Sequence, residues 1–522
     1  MGNVFESLKS SGSLLLEQRW SMTNAYAFGA FIFTVIVLRE AYRTNFPKVA
    51  NIPEVPGSYP FVGHLPYLGG RQKQNDATIY SKWSRGLGKI FQMKLGDQRV
   101  VVVNTWEVMK DFWITNNQSM MDRPFHKGFL QWIGVDISGS PMTPVIKKCR
   151  AAAVRALGKP LWPGYYKLIE PNSVQLVKAL YEKGKNGKVP MEMYPWLRQM
   201  MLDLTLNLTY GARAGDFDDE LTNNLLNSLY AISAVRGSTA TYRHFVPFLR
   251  IWPRKTDKVR EAIKERRRCI DILYGQYLQK VADGEAPTCI VSSLGAEKLT
   301  LEELHGTCTS LLQAAPDTTS SGIYQCCAWL CSPEGQSYQK VVLDAILDTY
   351  NGDRNAAWKM AFREEKVPEV TSLYKESLRF FSTAPFNNRR TSQEIKIYGT
   401  TIPKGMGVTM NIQAVNHDQE HYGPDAMSFN PRRFIGDTSP LPHLSFGTGA
   451  RICPAYMISN RILYAVLLRL ILAFEMKQVE GTRLPSTDMI DFSDAYGLVA
   501  MPRSYDCSFV ARDERWLKKV CN

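Results

Sequence analysis

One cysteine in a glycine-rich string most constrains what this chain of 522 residues can fold into. The string FGTGARICPA, residues 446–455, leads into a strongly apolar stretch that predicts a helix over about 455–474. Cys453 therefore stands at a helix N-terminus, where the helix dipole and unpaired N–H groups favour the thiolate, a soft metal ligand. Gly447 and Gly449 allow a tight turn and a close approach of the backbone to a flat ligand. Alone, however, such a cysteine is more often a packing residue than a ligand.

Two further strings precede this loop. Glu376-Ser-Leu-Arg379 lies in a predicted helix, where the i,i+3 spacing places the carboxylate and the guanidinium on one face, so that they can pair. The string FNPRRF follows at 429–434 and carries Arg433, with Arg432 directly before it. Each short string alone has little specificity, but the order and spacing of the strings argue against a chance occurrence of the whole set.

A fourth string, AAPDTT at 314–319, lies in a helix that a capping box at 300–303 should open and that should run to about residue 331. Asp317 and Thr318 place an acid beside a hydroxyl, a pair that can relay protons. Pro316 cannot donate to the carbonyl four residues before it, so we expect a kink there.

These four strings, in this order, resemble the signature motifs of the cytochrome P450 family. The cysteine loop is similar to FxxGxRxCxG, with Ala455 at the final glycine, and residues 314–319 are similar to (A/G)Gx(D/E)T(T/S), with Ala315 at the glycine. The resemblance implies a mainly α fold with a minor β part, and haem b as cofactor. The cofactor-binding residues that it implies are Phe446, Gly449, Arg451, Cys453 and Arg390. Among them Cys453 is the iron ligand, and Asp317 and Thr318 are the implied catalytic residues.

The resemblance also assigns basic residues to the haem propionates. Arg451 takes one such role, and Arg390 falls where the family often places a second basic residue. The family's tryptophan-containing helix near residue 145 is poorly matched, because Met142 stands where the tryptophan is expected. Three basic residues could serve there, and the sequence leaves the choice open: Lys147, Lys148 and Arg150. The resemblance further implies that Glu376, Arg379 and Arg433 form one buried network, whose pairing at Arg432 stays open.

The N-terminal region predicts a membrane anchor. Residues 20–38 carry no charge and would span about 28 Å as a helix at ~1.5 Å per residue, although a buried soluble helix is the alternative. A proline-rich hinge at 44–70 should separate the leader and anchor, 1–43, from the haem domain, 71–522. The positive charges after the anchor favour a cytosolic C-terminal side. The resemblance to microsomal members implies a single-pass protein of the endoplasmic reticulum membrane with a cytosolic catalytic domain.

Composition narrows the partners. The net charge of +14 suits an anionic membrane surface or an acidic protein, and no nucleic-acid motif accompanies it. The ten cysteines contain no CxxC pair and fit a reducing compartment.

The resemblance implies a monooxygenase that draws electrons from NADPH–cytochrome P450 reductase and inserts one atom of dioxygen into a small molecule. The chain is similar to microsomal members from filamentous fungi, phenylacetate-hydroxylase-like members included. By family position, the candidate pocket segments are 119–142, with Phe125, Phe129 and Trp132, and 380–388, with Phe386. Their aromatic character suits an aromatic or polycyclic specialised metabolite, and plain core packing of these rings is the alternative. Two alternatives stay open: a haem-thiolate enzyme for coupling, rearrangement or dehydration without net oxygen insertion, and a non-enzymatic haem carrier or sensor.

Overall fold

A computed structural model describes most of the chain. The described residues are 22, 24–69, 74–123, 133–214, 219–234, 245–251, 257–285, 287–485 and 499–522. Phe125, Phe129 and Trp132 of the expected pocket, and the first residues of the expected anchor, lie outside them.

Helices dominate the described residues, as the sequence predicts. They are α1 (Asn24–Tyr42), α2 (Asp76–Leu87), α3 (Trp106–Lys110), α4 (Pro144–Ala156), α5 (Trp162–Lys183), α6 (Tyr194–Tyr210), α7 (Glu220–Ala234), α8 (Asp257–Ala282), α9 (Ile290–Gly295), α10 (Leu301–Leu330), α11 (Pro333–Thr349), α12 (Arg354–Met360), α13 (Pro368–Phe381), α14 (Ile412–Asn416), α15 (Gln419–Tyr422), α16 (Tyr456–Ala473) and α17 (Glu514–Cys521). The strands are β1 (Ile90–Leu95), β2 (Gln98–Val103), β3 (Asn387–Arg390), β4 (Ile395–Ile397), β5 (Thr400–Ile402), β6 (Gly407–Met410), β7 (Phe474–Gln478) and β8 (Cys507–Ala511).

The main sheet joins the two ends of the sequence. β1 and β2 form the expected hairpin, β2 pairs with β6 in parallel, and β3 pairs with β6 antiparallel, which gives the order β1-β2-β6-β3. The valine-rich strand β2 is buried along nearly its whole length, as expected of a strand covered on both faces. The sheet thereby fixes β3, which carries two adjacent arginines.

The long helix α10 begins where the sequence predicts. The Thr300 hydroxyl accepts the Glu303 N–H at 3.2 Å, and the Glu303 carboxylate accepts the Thr300 N–H at 2.9 Å. These bonds satisfy two of the N–H groups that a helix start leaves free. The helix continues through Pro316 to Leu330, and the kink expected at the proline stays a prediction.

Among the described residues, two helices are long and apolar enough to cross a membrane, but their surroundings differ. The apolar part of α16 is 72% buried, so α16 is a central helix of the core. The apolar part of α1 is only 6% buried, and its phenylalanine, isoleucine and valine side chains are largely exposed. Exposure of so much apolar surface is unfavourable in water.

The proline-rich connector is attached to the sheet. Gln92 of β1 donates through its side-chain amide to the carbonyls of Val49 and Ile52, and its backbone bonds with Pro53 and Val55. The Arg99 guanidinium lies 3.0 Å from the Glu54 carboxylate. The connector thus holds the start of the globular part in a fixed position.

Candidate active site

The cysteine loop closes on itself before α16 begins. Gly447 and Gly449 adopt φ values of +69° and +70°, a region in which an L side chain is strained. The Cys453 N–H donates to the Phe446 carbonyl at 2.9 Å, and Ala455 is the residue that precedes α16. The predicted cysteine at a helix N-terminus is therefore present.

Gly449 also allows a close contact that the sequence did not reveal. A Cβ atom at this position would lie 2.7 Å from the Trp113 carbonyl and from the Asn117 side-chain oxygen. That oxygen accepts the Ala450 N–H at 2.8 Å. The glycine thus lets the loop lie against the segment after α3, which fixes the loop from outside.

The expectation of a lowered thiol pKa at Cys453 is wrong for the protein without a bound metal. The residue is partly accessible, yet many protein atoms surround it, and this burial raises the pKa of the thiol above its ordinary value. A hydrogen bond from the Ala455 backbone and the positive charge of Arg150 lower the pKa, but by less. A thiolate here therefore needs the additional charge of a bound cation.

Arginines converge on the same region. Arg451 donates from Nε to the Met121 carbonyl at 2.9 Å and from Nη2 to the Ser140 carbonyl at 2.7 Å. Burial and the neighbouring charges of Arg123 and Arg150 lower the pKa of Arg451 to about 9. Its Nη1 has no hydrogen-bond partner among the described residues.

Arg389 is completely buried and was missed by the sequence analysis. Burial lowers its pKa well below the ordinary value, and the charges of Arg123, Arg451 and Arg150 lower it further. Its Nε and Nη2 groups find no acceptor within the described parts of the chain. Several buried guanidiniums with unused hydrogen-bond donors favour the binding of an anion at this place.

Arg390, the predicted residue, is the next residue of β3 and is only half-buried. Its N–H donates to the Asp122 carbonyl at 2.9 Å. Successive side chains of a strand point to opposite faces, so Arg389 and Arg390 cannot both face the arginine cluster. The side chain that interacts with Arg451 and Arg150 is that of Arg389.

The structure distinguishes the three basic candidates of α4. Arg150 is buried and donates to the Ile452 carbonyl at 2.8 Å and to the Ile137 carbonyl at 3.1 Å. Lys148 instead pairs with Glu303 at 2.8 Å, and Lys147 is exposed. Arg150 is thus the one that lies beside the cysteine.

This arrangement fits haem b. The cofactor carries two carboxylates and an iron. Counter-charges for the carboxylates are offered by the cluster of Arg123, Arg150, Arg389 and Arg451. The thiol of Cys453 beside this cluster offers a ligand for the iron. Arg389 and Arg451 keep donors free for this purpose in the described part of the chain.

The network of Glu376, Arg379 and Arg433 is present. Glu376 and Arg379 are fully buried and form a bidentate pair with both distances at 2.7 Å. Arg433 lies 3.2 Å from the same carboxylate and 2.9 Å from Asp425. Asp425 therefore supplies the second acid, whereas Arg432 lies over the Tyr338 ring.

Asn416, at the end of α14, connects this network to the cysteine loop. Its carbonyl accepts from Arg379 at 2.7 Å, and its side-chain oxygen accepts the Leu444 N–H at 2.9 Å. Leu444 lies two residues before the loop, and its carbonyl accepts the Gly447 N–H at 2.7 Å. The buried ion pair thereby positions the start of the loop.

Asp317 and Thr318 occupy adjacent positions in the middle of α10. The Thr318 hydroxyl donates to the Ala314 carbonyl at 2.7 Å, which leaves its oxygen able to accept a hydrogen bond. Asp317 Oδ1 lies 3.0 Å from Arg198 Nε and accepts from the Tyr194 hydroxyl at 3.2 Å. Burial and the neighbouring carboxylate raise the pKa of Tyr194, so it stays a donor.

Phe386 is the one aromatic residue named for the expected pocket that the structure describes. It is half-buried, and its ring meets that of Tyr80 edge-on at 6.5 Å between centroids.

Comparisons with known proteins agree on one family. The family model described as Cytochrome P450 matches residues 53–508. Phenylacetate 2-hydroxylase of Emericella nidulans is 30% identical, and the alignment covers 92% of this chain and 94% of that protein. 3-Hydroxyphenylacetate 6-hydroxylase of the same organism is 27% identical and is covered to 98% in both chains.

The fold agrees as well. A solved structure of a zebrafish cytochrome P450 with abiraterone superposes with a TM-score of 0.67 at 18% identity, and covers 84% of this chain and 100% of that one. At this identity the superposition establishes the fold, which is the mainly α fold with a minor β part that the sequence predicts.

Glu376→Gln should destabilise the protein by about 3–5 kcal/mol, because it leaves two arginines without their buried counter-charge. Urea unfolding followed by circular dichroism measures the change. Glu369→Gln, on the half-exposed part of the same helix, is the control and should change stability by less than about 0.5 kcal/mol. Equal effects of the two substitutions would show that the network carries no particular weight.

Proposed function

Because this chain belongs to the cytochrome P450 family, whose cofactor is haem b, we propose that it is a monooxygenase that inserts one atom of dioxygen into a hydrophobic, aromatic small molecule. The observation that carries the proposal is Cys453 at a helix N-terminus, surrounded by buried arginines that have donors to spare.

Cys453 would hold the haem iron through its sulfur, and the positive charge of the metal would favour loss of the thiol proton. Arg150, Arg389 and Arg451 would bind the propionates, with Phe446 and Gly449 shaping the loop that carries the ligand. Arg390 stays a prediction for the same role, which its half-buried position on the other face of β3 supports less well than the position of Arg389. When bound, haem b supplies the redox chemistry that activates dioxygen.

Asp317 and Thr318 would control protons during this reaction. The Thr318 hydroxyl donates its hydrogen bond to the Ala314 carbonyl, so it would act by accepting a hydrogen bond from a water molecule and holding that water in position. Arg198 and Tyr194 would hold the Asp317 carboxylate in place, and Asp317 would relay a proton from solvent by first accepting it and then donating it towards the site.

An aromatic substrate is supported by the two Emericella nidulans relatives, whose names are those of hydroxylases of phenylacetate and 3-hydroxyphenylacetate. A role in fungal specialised metabolism is part of the same proposal. The electron donor would be NADPH–cytochrome P450 reductase, and the net charge of +14 suits an acidic partner of this kind.

Residues 24–42 would anchor the protein in the endoplasmic reticulum membrane as a single span, with the catalytic domain in the cytosol. The exposed apolar side chains of α1 support the anchor, and the attachment of the connector to β1 would keep the domain close to the membrane.

The reconstituted protein with reductase, NADPH and labelled dioxygen should convert an aromatic acid such as phenylacetate to a product that carries one labelled oxygen atom. Mass spectrometry of the product measures the incorporation. Turnover of a substrate without NADPH or dioxygen would contradict the proposal and favour the redox-neutral alternative.

Thr318→Ala should retain haem and substrate but lose coupling, so that NADPH oxidation continues while hydrogen peroxide replaces product. Removal of a positioned proton-transfer group costs about 10²–10⁴-fold in the step that it serves. Asp317→Asn should instead slow dioxygen-dependent turnover, because an amide cannot carry the proton. Thr319→Ala, at the buried neighbouring position, is the control. Full coupling in Thr318→Ala would exclude Thr318 from the relay.

Arg389→Gln should lower the haem content of the purified protein more than Arg390→Gln, because Arg389 is fully buried beside the charges of Arg123, Arg150 and Arg451, whereas Arg390 is half-buried. The ratio of haem absorbance to protein absorbance measures this directly. Since glutamine keeps hydrogen-bonding groups, the comparison isolates the charge. The opposite ranking would assign the propionate role to Arg390.

Deletion of residues 1–43 should move the protein from the membrane fraction to the soluble fraction and leave the haem spectrum unchanged. Fractionation with a carbonate wash and the absorption spectrum provide the two measurements. Retention of the truncated protein in the washed membranes would require a second integral membrane segment.

A further inference from the structure

Two thiols that the proposed chemistry does not use lie in direct contact. The sulfur of Cys331, the residue that follows α10, is 3.1 Å from the sulfur of Cys507, the first residue of β8. Both residues are buried, with 1% of their surface exposed. No other cysteine pair in the described residues makes a sulfur–sulfur contact of this kind.

The backbone holds both cysteines in place. The Cys331 N–H donates to the Cys327 carbonyl at 3.0 Å, which ends the helix, and Cys507 exchanges two backbone hydrogen bonds of 3.0 Å with Met191. A disulfide has a sulfur–sulfur bond of about 2.05 Å, so the two sulfurs would have to approach by only about 1 Å.

Residues next to the pair in the sequence reach the surface. Ser332 is half-buried and Pro333 is exposed, directly after Cys331, while Asp506 and Ser508 on either side of Cys507 are half-buried. The two cysteines themselves belong to the same buried core as Cys326 and Cys327, one turn earlier in α10. An oxidant that reaches the pair must therefore be small and neutral.

We propose that Cys331 and Cys507 form a disulfide when the protein meets hydrogen peroxide. One thiol attacks peroxide, the O–O bond breaks, and a sulfenic acid and water result. The second thiol then attacks the sulfenic sulfur and releases a second water as the disulfide forms. In sum, two thiols are oxidised and one peroxide is reduced to two waters.

The bond would have a structural effect on the site. It joins the end of α10, the helix that carries Asp317 and Thr318, to β8 across 176 residues of sequence. A cross-link over so long a loop restricts the unfolded chain strongly, and the folded state gains stability. The disulfide would thus brace the helix under the conditions in which dioxygen reduction becomes uncoupled and releases peroxide.

Peroxide treatment of the full-length holoprotein tests the proposal without any turnover. After free thiols are blocked with N-ethylmaleimide, non-reducing digestion and mass spectrometry should find a peptide pair that joins Cys331 to Cys507. The pair should vanish on reduction, and the Tm of the oxidised protein should be higher than that of the reduced protein. Recovery of both cysteines as blocked thiols would overturn the proposal.

Matched variants separate this pair from the other thiols. Cys331→Ser and Cys507→Ser should lose the linked peptide and the Tm shift, whereas Cys327→Ser should retain both. A Tm shift that persists in Cys331→Ser would overturn the assignment. If a serine variant does not fold, the linked peptide of the wild-type protein decides the question.

A second arm tests the source of the peroxide and rests on the proposed function. Reductase and NADPH without substrate should produce the same linked peptide, and catalase should suppress it. If reagent peroxide forms the bond but NADPH turnover does not, the disulfide stands and its supply by this enzyme falls.

Discussion

Buried positive charge around Cys453 is the constraint on which the rest of this structure depends. Arg150, Arg389 and Arg451 are removed from water. Burial lowers the pKa of Arg389 and that of Arg451, the charges of Arg150 and Arg451 lower the pKa of Arg389 further, and the charge of Arg150 lowers that of Arg451. Burial of charge without a counter-ion is expensive, and backbone carbonyls compensate only in part. The two carboxylates of haem b would resolve this, so cofactor binding and folding are thermodynamically coupled. Burial likewise raises the pKa of the Cys453 thiol, so a bound cation would favour its thiolate form.

A second buried charge system holds the site from behind. Glu376 and Asp425 together neutralise Arg379 and Arg433. Asn416, which accepts from Arg379, connects this network to the start of the cysteine loop. Here the counter-charges belong to the protein itself. The two networks therefore differ in role. The network of Glu376 is complete without the cofactor and fixes the geometry of the loop, whereas the arginines around Cys453 would be completed by the haem carboxylates and would contribute to the binding energy of the cofactor.

Much of this could be predicted from the sequence where the signal is local. The capping box at Thr300 and the apolar run of α16 depend on neighbouring residues, and both helices begin and end close to the predicted positions. The sequence alone could not distinguish Arg389 from Arg390. A shift of one residue in a strand moves each side chain to the opposite face of the sheet, and the register of β3 is set by its pairing with β6. Arg198 and Tyr194 were missed because they reach Asp317 through the packing of α6 on α10, which no local pattern encodes. The pKa of Cys453 was misjudged since the helix terminus is visible in the sequence and the burial is not.

The most direct test of this account is the absorption spectrum of the reduced carbon monoxide complex in Cys453→Ala, with the haem content measured separately. The account predicts that the wild-type protein and Cys521→Ala, which removes a half-buried thiol of α17, show the red-shifted Soret band of a thiolate-bound haem. Haem retained by Cys453→Ala should lack that band. A Cys453→Ala protein that kept the red-shifted band would contradict the assignment of Cys453 as the ligand, and with it the role given to the surrounding charges.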